Sequence, residues 1–217
     1  MCLNNWGGID HKVLEFHEYV NLFSGKSGSG KSTVMDAIQV ILYGSFSPSF
    51  LNKAADDAKN RRSVLSYLRG EQKDGSANRK DCDFCSVIAL EIEDTGTHII
   101  TCIGIAFEVR KSDSEIKKFV YFSHSGKMPE SEYLTEQGVC YSNQEIKKLV
   151  SARTKSDDNR GKGEVNRIYG SKEAYLGTLY DVILGYIDQN RFITMEKSAI
   201  ALKMTNGTGQ FIRDYMF

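Results

Sequence analysis

Gly25-Lys26-Ser27-Gly28-Ser29-Gly30-Lys31-Ser32 matches the pattern G-x-x-x-x-G-K-[ST] at every fixed position. Glycines at these places let the backbone wrap closely around phosphate oxygens and turn several N–H groups inward. The flanks agree with that reading. The apolar stretch 19–24 reads as a strand entering the loop, and Val34, Ala37, Ile38, Ile41 and Leu42 form the buried stripe of a helix that stops at Gly44. The helix N-terminus adds partial positive charge where phosphates would sit. Gly25, Lys26, Ser27, Gly28, Ser29, Gly30, Lys31, Ser32 and Thr33 therefore make up the expected nucleotide-binding set. Lys31 is expected to reach the β- and γ-phosphates and to supply the catalytic charge, the Ser32 hydroxyl to ligate magnesium, and Thr33 to contact the α-phosphate. The competing reading is a Gly/Ser loop that happens to contain a lysine, which the strand–loop–helix setting disfavours.

The rest of the composition is that of a globular domain. The chain has 217 residues, 41% of them hydrophobic and 26% charged, which argues against wholesale disorder. Its 28 basic residues balance 28 acidic ones, so any nucleic-acid surface must be a local patch. The longest apolar stretches, such as 99–107, fall short of the ~18 residues of a membrane span, and no secretory signal is legible at the N-terminus. A cytoplasmic protein with no membrane partner is expected. Five cysteines, an odd number on a chain of this size, do not make a disulfide framework. Cys82 and Cys85 have the spacing of half a zinc site, with Cys102, Cys140 and His98 as the only nearby candidates to complete it. Reduced thiols at the start of a strand are the favoured reading.

Along the chain, Ile88, Leu90 and Ile92 alternate with Ala89, Glu91 and Glu93, as in a half-buried strand. A turn at Asp94-Thr95-Gly96-Thr97 is followed by Ile103, Ile105, Phe107 and Val109 on one face, and 118–123 adds a third strand. An antiparallel β block over about 86–123 is thus expected. Helices are predicted over 53–68, ending at Gly70, and over 174–187, where Leu176, Leu179, Tyr180, Ile183 and Ile187 recur at helical spacing. The polar stretches at about 71–81 and 151–164 read as mobile surface loops. Residues 182–188 imitate an apolar strand ending in an acid, but the helical period fits them better.

With the loop in place, further segments become recognisable. Asn5-Trp6-Gly7-Gly8-Ile9, Leu22-Phe23-Ser24-Gly25 and Met35-Asp36-Ala37-Ile38-Gln39 resemble the N-terminal head half of SMC-like ATPases, in the MukB/JetC branch that includes the Wadjet plasmid-defence systems. Phe50-Leu51-Asn52-Lys53-Ala54-Ala55, Arg61-Arg62, Ser66-Tyr67-Leu68-Arg69-Gly70 and Ala89-Leu90-Glu91-Ile92-Glu93-Asp94 look like that branch's following segments. Ala199-Ile200-Ala201-Leu202-Lys203 and Phe211-Ile212-Arg213-Asp214-Tyr215 resemble the stretch leading into its first coiled-coil arm. The likeness spans nearly the whole chain.

The resemblance implies an α/β P-loop NTPase fold, an ABC/SMC-type N-terminal head lobe with an antiparallel meander over 1–217, truncated before the coiled coil. It implies ATP and Mg as cofactors. Its partners would be the C-terminal head half, a second head, kleisin-like subunits and DNA. The Walker B Asp-Glu pair and the signature loop of such heads come from the C-terminal half. Ile92-Glu93-Asp94 is a strand end followed by a turn, Asp56-Asp57 and Asp157-Asp158 lack the required apolar strand, and no single residue among Gln39, Gln189 and the neighbourhood of Met195 can be assigned as the Q-loop glutamine. Arg69 sits where such heads bring an arginine toward nucleotide or DNA, which makes it a possible catalytic residue; as a plain helix-end cation it would only complement the dipole. Lys59, Arg61 and Arg62 are a solvated face before they are a DNA contact. Two other functions compete: a head of an SbcC- or RecF-like DNA-repair ATPase, and a self-sufficient P-loop kinase or GTPase, for which no N-K-x-D motif is present.

Overall fold

A computed structural model of the chain describes residues 1–26, 28–48, 51, 63–72, 74–156 and 165–200, the side chains of 156 and 197–200 excepted. Its frame is a six-stranded sheet in which every neighbouring pair is antiparallel. The strands are β1 (Cys2–Trp6), β2 (Ile9–Val13), β3 (Phe84–Asp94), β4 (Ile99–Val109), β5 (Lys118–Ser125) and β6 (Arg167–Tyr169). They lie in the order β2-β1-β3-β4-β5-β6. β3 and β4 pair along their full length, with Ile88 opposite Ile105 and Leu90 opposite Ile103, so the apolar alternation of both strands falls on one face.

That face receives α1 (Lys31–Tyr43), α2 (Val64–Arg69), α4 (Lys172–Gly177) and a π-helical segment, Thr178–Ile183. Leu3, Ile88, Ile103, Ile105 and Phe107 meet Ala37, Val40, Ile41, Leu68 and Tyr175 there in one core. The opposite face is not solvated at its centre, contrary to the half-buried strand that the alternation suggests. Val87, Ala89, Ala106 and Phe122 lie beneath Ile146 and Val150 of α3 (Asn143–Ser156) and beneath Tyr133. Gly104 shows how closely β3 and β4 approach, since a Cβ there would lie 2.4 Å from the Ile88 carbonyl oxygen. The chain then continues into α5 (Gln189–Ile200). Among the described residues, no helix is long and apolar enough to cross a membrane.

Five sequence expectations need correction. Residues 19–24 form no strand; Tyr19, Val20 and Leu22 are exposed, and the Asn21 side chain closes a local turn with the backbone of His17. A strand is held by its neighbours, and no described segment lies alongside this one to complete its hydrogen bonds. The predicted helix 53–68 does not run through Ser63. That residue is extended and caps α2, its hydroxyl accepting from the Ser66 N–H, while 52–62, including Lys59, Arg61 and Arg62, lie outside the described residues.

The helix expected over 174–187 becomes α4 followed by the π-helical segment, which ends at Ile183. Finally, 71–81 is not a free loop. Gln72 N–H donates to Ser76, and Arg79 is buried, donating to the carbonyls of Leu68 and Gly7 and pairing with Asp10. In the second supposed loop, 151–156 belongs to α3, and 157–164 lies outside the described residues.

Candidate functional site: the glycine-rich loop and its platform

α1 begins at an uncapped end. Its N-cap, Gly30, is left-handed with φ 88°, no side chain caps the first turn, and no acidic residue lies in it. The N–H groups of that turn therefore keep their capacity to bind an anion. Lys31 bends its ammonium back over the loop, donating to the carbonyls of Gly25 (2.6 Å) and Lys26 (2.9 Å) and to Ser29 Oγ (3.2 Å). The loop is a cradle that a side chain would fill, because a Cβ on Gly25 would lie 2.6 Å from Ser29 Oγ. Ser32 is exposed and Thr33 half-buried at the helix start. Ser27 lies outside the described residues.

Beside the loop opens a cavity of about 550 Å³. Ser24, Ser29, Gly30 and Lys31 form one wall, and Ile9, Asp10, Lys12 and Leu14 of the β1–β2 hairpin form the other. Its size suits a small-molecule ligand, and its polar wall is cationic donor chemistry suited to phosphate. Loop, orphan N–H groups and hydroxyl together fit a magnesium nucleotide. Asp10 is the one carboxylate among the residues known to line the cavity, and its Oδ1 is held 2.9 Å from Arg79 Nη1.

The hairpin turn is also the platform under the helix start. Trp6 is fully buried, stacks on Tyr67 with ring centroids 5.0 Å apart, and donates its indole N–H to the Thr33 carbonyl at 2.8 Å. Gly7, with φ 60°, passes so close that a Cβ would sit 2.5 Å from Thr33 Cγ2. Its N–H donates to Tyr67, and its carbonyl accepts from Arg79. Tyr67 in turn donates its hydroxyl to the buried Asp36 of α1. Burial pulls the Arg79 guanidinium below the ordinary arginine range, and Asp10 opposes the shift.

The far end of α1 is held as firmly. Tyr121, Tyr175 and Tyr180 donate their hydroxyls to the carbonyls of Gly44 (2.6 Å), Ile41 (3.0 Å) and Leu42 (3.0 Å). These are the carbonyls that a helix C-terminus leaves unpaired. Glu196 of α5 accepts from Tyr43 and from Gln39 Nε2 (3.5 Å), so Gln39 points to α5 rather than to the loop.

Residues 1–58 match a family model described as the P-loop containing region of AAA domains. The match covers β1, β2, the glycine-rich loop and α1. The chain carries a P-loop of the NTPase kind. No curated protein sequence matches the chain.

The structure brings the described residues of 25–33 together as one loop and helix start, but it places Arg69 elsewhere. Arg69 Nη2 donates to the carbonyls of Asp113 (2.5 Å) and Lys111 (3.1 Å), bracing the β4–β5 connection. None of its hydrogen bonds goes to the P-loop among the described residues, and its Nε is buried without a partner. Its side chain is thus held by the β4–β5 connection. Trp6, Gly7, Asp10 and Arg79 are the residues that sequence reasoning left without a role. Trp6-Gly7 stood out only as part of a resemblance, and a local pattern cannot reveal that it touches Thr33. Among the described residues, no group of three or more His, Cys, Asp or Glu side chains is placed to hold a metal. Cys85 is half-buried, and burial pushes its thiol up to about 11.

Proposed function

We propose that the chain is the Mg-ATP-binding N-terminal half of an SMC-like ATPase head, of the MukB/JetC kind. Its ATP cycle would serve DNA handling in plasmid defence or chromosome organisation. In this reading Lys31 and the first-turn N–H groups of α1 hold the β- and γ-phosphates, and the Ser32 hydroxyl holds the metal. Bound magnesium supplies charge neutralisation at the γ-phosphate. The platform of Trp6 and Gly7 keeps the helix start at a fixed height, and the hairpin wall with Ile9 and Leu14 offers an apolar surface to the base. Hydrolysis awaits an acid and a signature loop from the C-terminal half and a second head.

The observation that carries the half-head reading is the segment running directly into the P-loop. Phe16, Tyr19, Val20, Leu22 and Phe23 are exposed, although their pattern is that of a buried strand. An apolar stretch of this kind beside a phosphate loop suits a sheet completed by another segment. Exposed as it is, it favours self-association. Sedimentation should therefore show concentration-dependent association of the chain, reduced in the variant Tyr19→Lys/Leu22→Lys. A strictly monomeric wild-type chain at all concentrations would count against the half-head.

One observation favours the second reading, a self-sufficient P-loop enzyme: Asp10 shares the cavity with Lys31. Only its Oδ1 is engaged, by Arg79, and the rest of the side chain is exposed.

A further inference from the structure

The chain's zero net charge is unevenly distributed. α3 buries Ile146 and Val150 against the sheet and turns Gln144, Lys147, Lys148, Ser151 and Lys155 outward. These positions follow one another at helical spacing, so they make a single stripe. On an ideal helix the Cα atoms of Lys147 and Lys155 are about 12 Å apart along the axis. No described carboxylate pairs with any of the three lysines. The nearby acids are used at the helix start: Glu145 accepts from Ser142 N–H (2.6 Å) and from its hydroxyl (2.8 Å), and Glu108 accepts from the Asn143 N–H (3.0 Å).

We propose that this face of α3 is a contact for the phosphodiester backbone of a nucleic-acid duplex. Three points favour that occupant. The stripe offers only cations and neutral hydrogen-bonding groups, the side chains that serve backbone contacts without reading sequence. It has no large exposed apolar residue among those described, which a protein interface would use as an anchor and a membrane-lying helix would bury in lipid. Its length also covers about three phosphate steps of one strand, with Lys147 and Lys148 at one end and Lys155 at the other. The inference rests on the DNA-handling part of the reading above and is independent of the P-loop.

The test is binding of the full chain, without nucleotide, to a fluorescent mixed-sequence duplex of about 20 base pairs at salt from about 50 to 200 mM. The variant Lys147→Gln/Lys148→Gln/Lys155→Gln should fold as the wild type does, since all three side chains are exposed. It should bind about tenfold or more weakly at low salt, with the slope of log K against log salt flattened by about 2.7, or about 0.9 per lost contact. The corresponding arginine variant should retain both affinity and slope. An unchanged slope in the glutamine variant would overturn the α3 assignment while leaving a DNA contact elsewhere. Binding to phosphatidylserine vesicles but not to duplex would overturn it in favour of a membrane. Duplex binding is read without nucleotide, so failure here is separable from failure of the nucleotide reading.

Discussion

Replacing Lys31 with alanine should weaken Mg-ATP binding by about 100-fold, because charge-assisted hydrogen bonds to phosphate are each worth about 1.5–3 kcal/mol. Folding should be nearly untouched. The Lys31 side chain is partly exposed, its partners are loop oxygens that water can replace, and alanine is at home in a helix. Removing the charge therefore separates binding from stability. Trp6 is the chain's single tryptophan, and its indole N–H rests on the carbonyl of Thr33. Its fluorescence is thus a built-in reporter for titrating nucleotide into the loop. An alanine variant that binds as tightly as the wild type would mean that phosphate does not sit at this loop.

The opposite pattern is expected at Trp6. Its ring is fully buried against Tyr67 and joins β1 to the start of α1. Trp6→Ala should cost about 3–5 kcal/mol through the cavity left behind. The Thr33 carbonyl, still paired within α1, would lose its second donor and add a little to the loss. At roughly 2–4 °C per kcal/mol, the melting temperature should fall by about 6–20 °C. Trp6→Phe keeps most of the packing and loses the indole donor, so it should cost only about 1–2 kcal/mol. It should still weaken Mg-ATP binding by up to about tenfold, because the helix start loses its support. Thermal melts of the two variants, with calorimetric titration of Trp6→Phe, check both parts. A phenylalanine variant with unchanged ATP affinity would show that the platform stabilises the fold without positioning the loop.

What could be read from the sequence was what local pattern encodes. The P-loop helix follows from glycines at 25, 28 and 30 before an apolar stripe, and β3 and β4 from their alternation. The errors fell where partners decide. Residues 19–24 have strand chemistry but no described neighbour to pair with. The π-helical segment Thr178–Ile183 satisfies the same apolar spacing as an α-helix, so its wider turn left no trace in the pattern. Arg79 sits in a polar stretch that looks solvated, yet it is buried because Leu68, Gly7 and Asp10 happen to converge on it. For Arg69 the sequence left two readings open, a phosphate ligand or a helix-end cation, and only the fold reveals that carbonyls of the β4–β5 connection engage it. The platform of Trp6 and Gly7 likewise arises from contacts between residues far apart in the chain, which no spacing rule expresses.

The isolated chain should bind Mg-ATP without turning it over. Steady-state phosphate release should be measured on the sample whose binding is titrated, with Lys31→Ala and Asp10→Asn alongside. Saturable, Lys31-dependent binding with no release above background would support the half-head. Release that depends on both Lys31 and Asp10 would contradict it and make this chain an enzyme in its own right.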